Sequence, residues 1–540
     1  MKPATDRTIR GGSAVAVAVL ATLVAMSLQQ AIRMAWQVRT LPERVMETLL
    51  VFVPLDLFER GLQQFGASAK DIALVGAYTG MAALLVVVGW FTVRASNGWL
   101  ALLVGFGLWL AAMVVVMPLT GAGPFATGLL VNPLLTDAAY LVVFGAYASV
   151  LALGTVLLTW LDVSRESAPR RATSLERRGL LAALGGGAVS VLAFSLARSA
   201  AGTAGGVVQS SLPLAAAPTP PATPSLAPTV VRAGTTAANV ASTAAPTAAV
   251  AVAVPQPTAT PIVAAGFPTP PPVRTLARDQ DGSLTGAGRP PGSLAPAITS
   301  NQDFYIVTKN AVADPVVDAN TWRLIIDGQV DHPVQVDYAT LTALPSVDVT
   351  KTLECISNLT AGCNMASFGC DLMSTAVWRG VAVSDVLNLA GGLKSSVVDV
   401  AFLSTDEFSS GLPAEVVLDP GTLIVYQMNG DVLPREHGYP ARLLVPGRYG
   451  MKNPKWLAGI RALDQPYVDW YQQRGWTRDG IIKTMSRIDV PADGATLPSG
   501  QQRVAGVAYA GDRGITRVEV SADGGGTWQP ASILEPQAGP

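Results

Sequence analysis

The sequence predicts a multi-domain fold: an N-terminal α-helical transmembrane bundle, a disordered linker, an α+β domain and a short β-rich C-terminal piece. Hydrophobic residues make up 50% of the 540 residues and charged residues only 14%, which is unusually apolar for a soluble chain. A stretch dominated by Pro, Ala and Thr separates the apolar half from a half of mixed polarity. The expected boundaries are 1–198, 199–294, 295–465 and 466–540.

Five apolar runs are long enough, at about 20 residues, to cross a bilayer as helices. Basic residues precede the first run, follow the second and crowd the connection between the fourth and fifth. By the positive-inside rule, the C-terminal half then lies on the outer face of a bacterial cytoplasmic membrane. Arg33, Arg39 and Arg44 count against this orientation, because they would lie outside. The runs are 13–28, 72–93, 99–117, 138–160 and 179–196, and residues 49–58 are too short to span and are interpreted as interfacial or packed on the bundle.

Two features of the helical half bear on export and on electron carriers. Arg177 and Arg178 head the fifth run, which is typical both of a twin-arginine export signal and of an ordinary cytoplasmic helix end. The chain has two histidines, His332 and His437, and neither lies in an apolar run, so we expect no haem in the membrane region. Anchoring in membrane lipid, contact with quinone and docking of a separate electron carrier all stay open as roles of the bundle.

The linker from about residue 200 to 288 is almost uncharged and rich in proline, so it cannot build a core. Proline at this density favours extended, semi-rigid segments of about 3 Å per residue. Such a linker either holds the following domain away from the membrane to meet a partner or acts as a passive stalk. The formal net charge of −1 offers no basic surface for nucleic acid, and we exclude that class of partner.

The α+β domain contains patterns of strands, helices and turns in mixed order. An alternating run at 322–328 predicts a strand, as do 398–403 and 423–428, the last followed by an Asn429-Gly430 turn. Residues 383–390 predict a helix that ends at two glycines. A strand also leads into Cys355, which is either a small buried hydrophobic side chain or a thiolate ligand for a metal.

Four motifs in this domain resemble the sulfite oxidase family of molybdenum enzymes over about residues 300–465. The ordered set is specific, although each motif alone is weak. The motifs are Thr352-Leu353-Glu354-Cys355-Ile356-Ser357-Asn358, Val377-Trp378-Arg379-Gly380-Val381, Glu436 to Gly447 (EHGYPARLLVPG) and Tyr449 to Leu457 (YGMKNPKWL). The resemblance implies an α+β sulfite-oxidase-type molybdopterin domain in which Cys355 binds molybdenum directly.

The resemblance also assigns residues to the anionic phosphate tail of the molybdopterin. His437, Arg442 and Lys455 stand at matching positions, with Asn453 and Pro454 supplying backbone contacts. The alternative is that Arg442 and Lys455 are solvated charges at strand ends.

Three further assignments rest on weaker matches. Tyr305 matches a segment that lines the pterin, and Ser404 or Asp406 falls near another pterin contact. Lys452 aligns with a basic residue that faces the metal in some members, which implies a catalytic role in binding an anion or stabilising oxyanion charge.

Two departures from the family place the anion pocket of a sulfite oxidiser in doubt. Sulfite oxidases carry an Arg and a His in the segment that matches 307–310, and a Tyr where this chain has Phe408. Between the motifs, Cys363 and Cys370 are expected to form a disulfide in an insertion beside the metal cysteine, since two cysteines without nearby histidine fall short of a second metal site.

The C-terminal piece resembles the immunoglobulin-like dimerisation domain of the family. Residues 504–509 and 515–521 alternate as strands, and Asp523 opens a glycine-rich turn. A full sandwich takes about 100 residues, and the sequence ends at Pro540 short of that. We therefore expect a partial immunoglobulin-like β-sandwich and a possible homodimer.

These patterns favour a membrane-anchored, molybdopterin-dependent oxidoreductase that transfers an oxygen atom, with two electrons, on a small substrate outside the cytoplasm. Sulfite-oxidase-like and sulfoxide-reductase-like activities both fit, with a cytochrome or the quinone pool as electron partner. The alternative from another class is a non-catalytic membrane receptor or adhesin that retains only the fold.

Overall fold

The computed structural model describes residues 11–53, 60–61, 64–65, 68–130, 132–166, 266–267, 269–271, 292–310, 312–359 and 371–534. Within these residues, long helices come first, and one mixed and one antiparallel β-sheet follow in the C-terminal half. The predicted fifth span at 179–196, the Arg177-Arg178 pair, Cys363 and Cys370, and most of the predicted linker lie outside the described residues.

Four described helices are long and apolar enough to cross a membrane, and they coincide with the first four predicted runs. The spans are Gly12–Trp36, Asp71–Arg94, Gly98–Leu119 and Pro133–Trp160. The elements are α1 (Gly11–Trp36), α2 (Leu41–Leu49), α3 (Ser68–Arg94), α4 (Gly98–Ala111), a π-helical turn (Ala112–Val116), α5 (Met117–Leu119) and α6 (Pro133–Glu166). The third span consists of α4, the π-helical turn and α5 together, whereas α2 is too short to span.

Small side chains let α1 lie close to α3 and α6. A Cβ added at Gly89 of α3 would come within 3.0 Å of Ala18, and one at Gly154 of α6 within 2.4 Å of Val17. Small residues at such contacts let helix backbones approach closely in lipid, where packing drives association. The buried alanines of α1 recur every three or four residues, at Ala14, Ala18, Ala21 and Ala25.

The short helix α2 lies at the end of the bundle where α1 stops. Its N-terminus carries a capping box, in which the Thr40 hydroxyl accepts from the Glu43 backbone N–H and the Glu43 carboxylate accepts from the Thr40 N–H. Arg33, near the end of α1, pairs with the same Glu43 carboxylate at 3.2 Å. This pairing fixes α2 against the last turn of α1.

The β-rich half docks on this end of the bundle through a buried ion pair. Arg44 of α2 donates two hydrogen bonds, of 2.6 and 2.7 Å, to the two carboxylate oxygens of Glu407. The Arg44 side chain is 2% exposed and that of Glu407 is 24% exposed. A bidentate guanidinium–carboxylate pair sheltered from water fixes the relative orientation of the two groups.

Polar and apolar contacts extend the junction on both sides of this pair. The Gln37 side chain bonds to both the N–H and the carbonyl of Val316, at 2.8 Å each. On the other side, Leu130 in the connection between α5 and α6 reaches the sheet at Gly459, where a Cβ would lie 2.4 Å from the leucine Cδ1. The glycine therefore provides the space into which Leu130 inserts.

The β-rich half is built on two five-stranded sheets that confirm the predicted α+β domain. One sheet has the order β2-β1-β10-β5-β6, and the other the order β3-β4-β7-β8 with β9 paired to β7. The strands are β1 (Arg323–Gly328), β2 (Val334–Asp337), β3 (Ser346–Glu354), β4 (Met373–Ala382), β5 (Asp399–Ser404), β6 (Ser409–Pro413), β7 (Leu423–Met428), β8 (Asp431–Val432), β9 (Arg442–Leu444) and β10 (Leu457–Leu463). Short helices α7 (Tyr338–Ala343), α8 (Val383–Asn388) and α9 (Ala414–Val417) connect them.

The main core lies between the sheets and fixes the strand ends that carry polar residues. Trp322, Trp456 and Ile460 are almost fully buried in it, together with aliphatic residues of α7 and α8. The indole N–H of Trp322 donates to the carbonyl of Leu457 at 2.7 Å. A second cluster, around Phe304 and Trp378, packs under the other sheet.

The C-terminal piece contains two strand pairs among the described residues. Antiparallel β11 (Met485–Val490) and β12 (Ala505–Tyr509) form one, and β13 (Glu519–Val520) and β14 (Gln529–Pro530) the other. The predicted strand at 504–509 is therefore present, whereas only two residues of 515–521 are in β13. The partial immunoglobulin-like sandwich stays a prediction.

Part of the predicted disordered linker is packed on the α+β domain. Phe267 exchanges hydrogen bonds with the Asn320 side chain, and its ring meets that of Tyr338 edge to face at 4.9 Å. The Thr269 hydroxyl donates to the carbonyl of Val317. Here the linker forms fixed contacts, because an aromatic residue interrupts the Pro/Ala/Thr composition.

Replacing Glu407 with Gln should weaken the docking of α2 by about 3 kcal/mol, because the Arg44 charge stays buried without its partner. We expect faster amide hydrogen exchange in α2 and a lower Tm. The matched control is Asp348→Asn, which breaks a bidentate pair with Arg379 whose side chains are 46% and 51% exposed. That pair should be worth less than about 1 kcal/mol. Equal effects of the two substitutions would contradict the docking role.

The docking of α2 on the β-rich half should also depend on pH. Burial alone would raise the pKa of Glu407, but Arg44 and then Arg39 outweigh it and hold the pKa below its usual value of 4.5. The stabilisation is therefore fully present above pH 4.5 and is lost as the pH falls through the lowered value. The protection factors of α2 amides, which correct for the intrinsic pH dependence of exchange, should fall between pH 7 and pH 3 in the wild type and be much flatter in Glu407→Gln.

Candidate active site

Cys355 follows the last residue of β3, at the position where the sequence places a metal ligand. Its backbone N–H donates to the carbonyl of Leu372 at 2.9 Å, so strand pairing positions the cysteine. The thiol Sγ lies 3.0 Å from the Ser357 hydroxyl, and the residue is partly exposed. Burial raises the pKa of this thiol, and the nearby Glu354 carboxylate adds to the shift. A bound cation is therefore the means by which this thiol would lose its proton at neutral pH.

Tyrosine side chains surround this thiol. Tyr305, Tyr449 and Tyr471 lie close enough to Cys355 for charge on the sulfur to raise the pKa of each phenol, although burial is the larger cause. A Cβ at Gly450 would come within 2.8 Å of the Tyr305 hydroxyl, so the glycine leaves room for that ring. Neutral phenols next to the sulfur can donate hydrogen bonds to a bound group without adding charge.

Arg442, at the start of β9, is the buried cation of the site. Its two terminal nitrogens donate to the carbonyls of His437 and Asn453, at 3.1 and 3.0 Å, while its Nε has no hydrogen-bond partner. Among the described residues no carboxylate lies within 4 Å of the guanidinium. Burial lowers its pKa to about 10, and Tyr305 opposes that shift. An unpaired buried guanidinium with a free donor is suited to an anionic ligand.

His437, Lys455 and Asn453 surround Arg442. The ring Nε2 of His437 lies 3.1 Å from the Asn301 carbonyl, and the ring meets Phe304 edge to face. The ammonium of Lys455 donates to the carbonyls of Val307 and Glu436, and burial lowers its pKa.

Asn453 and Pro454 hold the two motifs together from the backbone side. The Asn453 side chain accepts from the Val445 N–H and donates to the Tyr449 carbonyl, and the Pro454 carbonyl accepts from the Leu443 N–H. The structure thus brings together His437, Arg442, Asn453, Pro454 and Lys455, and their binding of the phosphate tail stays a prediction.

Three other predicted site residues have different surroundings. The Lys452 ammonium is fully buried and ion-paired with Asp469, and it also donates to the Gly411 carbonyl. Asp406 accepts from the Asn310 amide, and the buried Ser404 hydroxyl has no hydrogen-bond partner. Ser404 and Asp406 line a cavity at the junction with the helices, and Asp406 also lies close enough to Lys455 to oppose the lowering of its pKa. Their predicted catalytic and pterin-binding roles stay predictions.

Sequence reasoning did not single out Lys309 or Tyr471, although both lie at the site. The Lys309 ammonium is 3.5 Å from the Glu47 carboxylate of α2 and 5.7 Å from the centre of the Trp470 ring. Burial is the main cause that lowers its pKa, followed by Arg39. The sequence did contain a signal for Lys309, because this lysine falls in the segment 307–310, where sulfite oxidases carry basic residues. No comparable signal marks Tyr471, which lies in the link after the last motif.

Comparison with known families agrees with this geometry. Residues 311–471 match the family described as "Oxidoreductase molybdopterin binding domain", and residues 474–539 match "Mo-co oxidoreductase dimerisation domain". The C-terminal half is thus similar to the sulfite oxidase family of molybdopterin oxidoreductases. It contains a molybdopterin-binding oxidoreductase domain, and we call residues 311–471 the molybdopterin domain below.

Relatives of known function match the same half. The chain is 31% identical over 270 residues to the mitochondrial sulfite oxidase of Macaca fascicularis, covering 44% of this chain and 49% of the relative. It is 31% identical over 273 residues to the NADH nitrate reductase of Ulva prolifera, covering 42% of this chain and 32% of that enzyme. The chain thus spans about half the length of the sulfite oxidases that it matches. A solved structure, the sulfane dehydrogenase SoxCD from Paracoccus pantotrophus, aligns over 47% of this chain and 71% of its own with 24% identity and a TM-score of 0.41.

The residues present fit a molybdopterin. The orphaned Nε of Arg442 is a donor for which the protein supplies no acceptor, and the phosphate of such a cofactor would supply one. Lys455 and His437 would add donors beside it, and the Cys355 thiolate is a soft ligand for molybdenum. When bound, the cofactor supplies the two-electron redox chemistry.

Replacing Arg442 with Lys should reduce the pterin and molybdenum retained by the purified protein by about tenfold or more. A lysine cannot reach both carbonyl partners and also offer a further donor. The matched control is Arg461→Lys in β10, where the guanidinium pairs with Asp327 and is 43% exposed. Pterin fluorescence after oxidative release and metal analysis measure the outcome. Full cofactor content in Arg442→Lys would contradict the assignment.

Proposed function

We propose that this protein is a membrane-anchored molybdenum-cofactor oxidoreductase that transfers an oxygen atom, with two electrons, on a small substrate outside the cytoplasm. The observation that carries the proposal is the pairing of a partly exposed thiol at Cys355 with a buried, carboxylate-free guanidinium at Arg442 in one domain. A soft metal ligand and an anion site are what a metal-bearing cofactor with a phosphate tail requires.

Each residue of the candidate site has a defined role in this proposal. Arg442, His437 and Lys455 bind the anionic tail and orient the cofactor, while Cys355 ligates the metal. Tyr305 and Tyr471 lie near the sulfur and would donate hydrogen bonds to an oxygen atom of the substrate. Burial of this cluster excludes water, which strengthens its electrostatic interactions.

Membrane anchoring is supported by the four apolar helices. The outer location of the molybdopterin domain is supported by the ion pairs that three arginines form. Arg33, Arg39 and Arg44, which oppose the outward orientation in a simple count of charges, pair in the structure with Glu43, Glu47 and Glu407. Arg94 lies at the other end of the bundle, where α3 ends. Because Arg33, Arg39 and Arg44 are neutralised by carboxylates, they no longer count strongly against an outer location. The positive-inside rule then supports a molybdopterin domain on the outer face of the membrane.

An uncharged oxo substrate such as a sulfoxide fits the site better than sulfite. Two lysines near the tyrosine cluster are already compensated, Lys452 by Asp469 and Lys309 by Glu47, and the phosphate tail of the cofactor would take up the charge of Arg442. An anionic substrate requires free positive charge near the metal, whereas a neutral one needs only hydrogen-bond donors. We therefore favour a reductase that acts on a neutral oxygen-bearing group.

Partners follow from the same proposal. The match of residues 474–539 to a dimerisation family supports a homodimer. The redox reaction also needs an electron donor, which we place among cytochromes or membrane quinones. A receptor or adhesin would need neither the Cys355 thiol nor the unpaired guanidinium.

Metal analysis separates the enzyme from the receptor. Full-length protein from a host that makes the cofactor should contain about one molybdenum per chain, as expected of a single thiolate site. Substitution of Cys355 by Ser should lower that content and abolish turnover. Wild-type protein that folds without the metal would favour the receptor.

With reduced viologen as the electron donor, the enzyme should reduce neutral sulfoxides faster than it reduces anionic substrates. For the neutral substrate, kcat/KM should change less than about twofold between 50 and 500 mM salt, because no long-range charge attraction is involved. Sulfite oxidation with an artificial acceptor should be slow by comparison. Rapid sulfite oxidation that weakens steeply with salt would contradict the proposed substrate class.

A further inference from the structure

A cavity of about 440 Å³ lies at the junction between the helices and the molybdopterin domain. One wall is formed by the ends of α1 and α5 and by α2, and the other by the turn after β5 and the link around Trp470. This volume is within the usual range for small-molecule sites, about 300 to 1,000 Å³. The four assigned cofactor residues Cys355, His437, Arg442 and Lys455 are not among its lining residues.

The charges that line the cavity are balanced. Four arginines and four carboxylates contribute, and the principal pair is Arg44 with Glu407. The arginines are Arg33, Arg39, Arg44 and Arg474, and the carboxylates are Glu47, Asp318, Asp406 and Glu407. A cavity without net charge discriminates against an anionic headgroup and favours an uncharged ligand.

Two buried polar groups of the lining have no partner. The Ser404 hydroxyl, in a residue 5% exposed, and the Arg44 Nε, in a residue 2% exposed, make no hydrogen bond. Both groups donate, so a ligand with carbonyl or hydroxyl oxygens would satisfy them. An apolar rim complements these donors, since Trp36 and Leu119 at the ends of two spanning helices are 46% and 70% exposed. Tryptophan at a helix end is typical of the membrane–water boundary.

Aromatic rings connect this cavity to the metal ligand. Phe408 and Trp470 line the cavity, and their rings lie 5.6 and 4.9 Å from that of Tyr471. Tyr471 is one of the tyrosines beside Cys355. A redox-active ligand in the cavity is therefore separated from the cofactor site by a short series of contacting side chains.

We propose that the junction cavity binds a membrane quinol, which serves as the direct electron donor of the enzyme. The proposal rests on the function proposed above and names its electron partner. The quinol gives up two electrons to the cofactor site and two protons, and it leaves as the quinone. Reduction of a sulfoxide consumes the two electrons and two protons, and its oxygen leaves as water.

The experiment uses full-length holoprotein in nanodiscs of zwitterionic phospholipid and a benzoquinone with a ten-carbon tail as the probe. Leu119→Trp places an indole in the cavity mouth and should raise the Kd of the quinone by about tenfold or more. Leu134→Trp is the matched control, because Leu134 is 69% exposed near the same end of the bundle but does not line the cavity. Its Kd should stay at the wild-type value. Equal molybdenum content and Tm in the two variants show that both fold.

Tight binding to the wild type and to Leu134→Trp, together with weakened binding to Leu119→Trp, supports the site. Absence of binding to the wild type, equal binding to both variants, or a phospholipid that the quinone does not displace from the cavity would overturn it. Turnover with viologen is measured separately. Wild-type protein that binds the quinone and yet reduces no substrate with viologen would contradict the proposed function while supporting the quinone site.

Discussion

The contact between Arg44 and Glu407 determines how the two halves of this protein are arranged. Glu407 belongs to the turn between β5 and β6, at a positive φ of 64°, and this turn carries Asp406 and Phe408 on either side. The same ion pair that holds α2 against the sheet therefore positions residues that line the junction cavity. Because the pair is sheltered from water, both charges must be satisfied by each other or by close neighbours. Docking and site geometry are thus coupled through one turn.

The helical bundle and the molybdopterin domain could be predicted to different extents from the sequence. The first four spans are confirmed because length and apolar composition alone determine them. β1, β5 and β7 follow the predicted strands closely, since alternating or continuous apolar runs and an Asn429-Gly430 turn specify them. The predicted strand that leads into Cys355 is also present, because β3 ends at Glu354.

The docking could not be predicted, because its partners are 363 residues apart and no local pattern links Arg44 to Glu407. In the sequence, Arg33, Arg39 and Arg44 are notable only because they oppose the orientation that the positive-inside rule predicts. A local signal for α2 did exist, since Thr40 and Glu43 form a capping box with a proline between them. That motif predicts where the helix starts but not what it touches. Likewise, the pairing of Lys452 with Asp469 depends on tertiary packing, and neither flanking sequence indicates it.

Charge compensation explains why the molybdopterin domain has separate places for an anion and for neutral molecules. Lys452, Lys309 and Arg44 are each next to a carboxylate, so the regions around them carry little net field. Arg442 is held by backbone carbonyls, which accept hydrogen bonds from its two terminal nitrogens without cancelling its charge. In a buried site an uncancelled charge attracts an anion strongly. The surroundings of Arg442 therefore favour an anion, which supports the proposed position of the phosphate tail. The compensated charges around Lys452 and in the junction cavity favour uncharged ligands, which supports the proposed substrate and quinol.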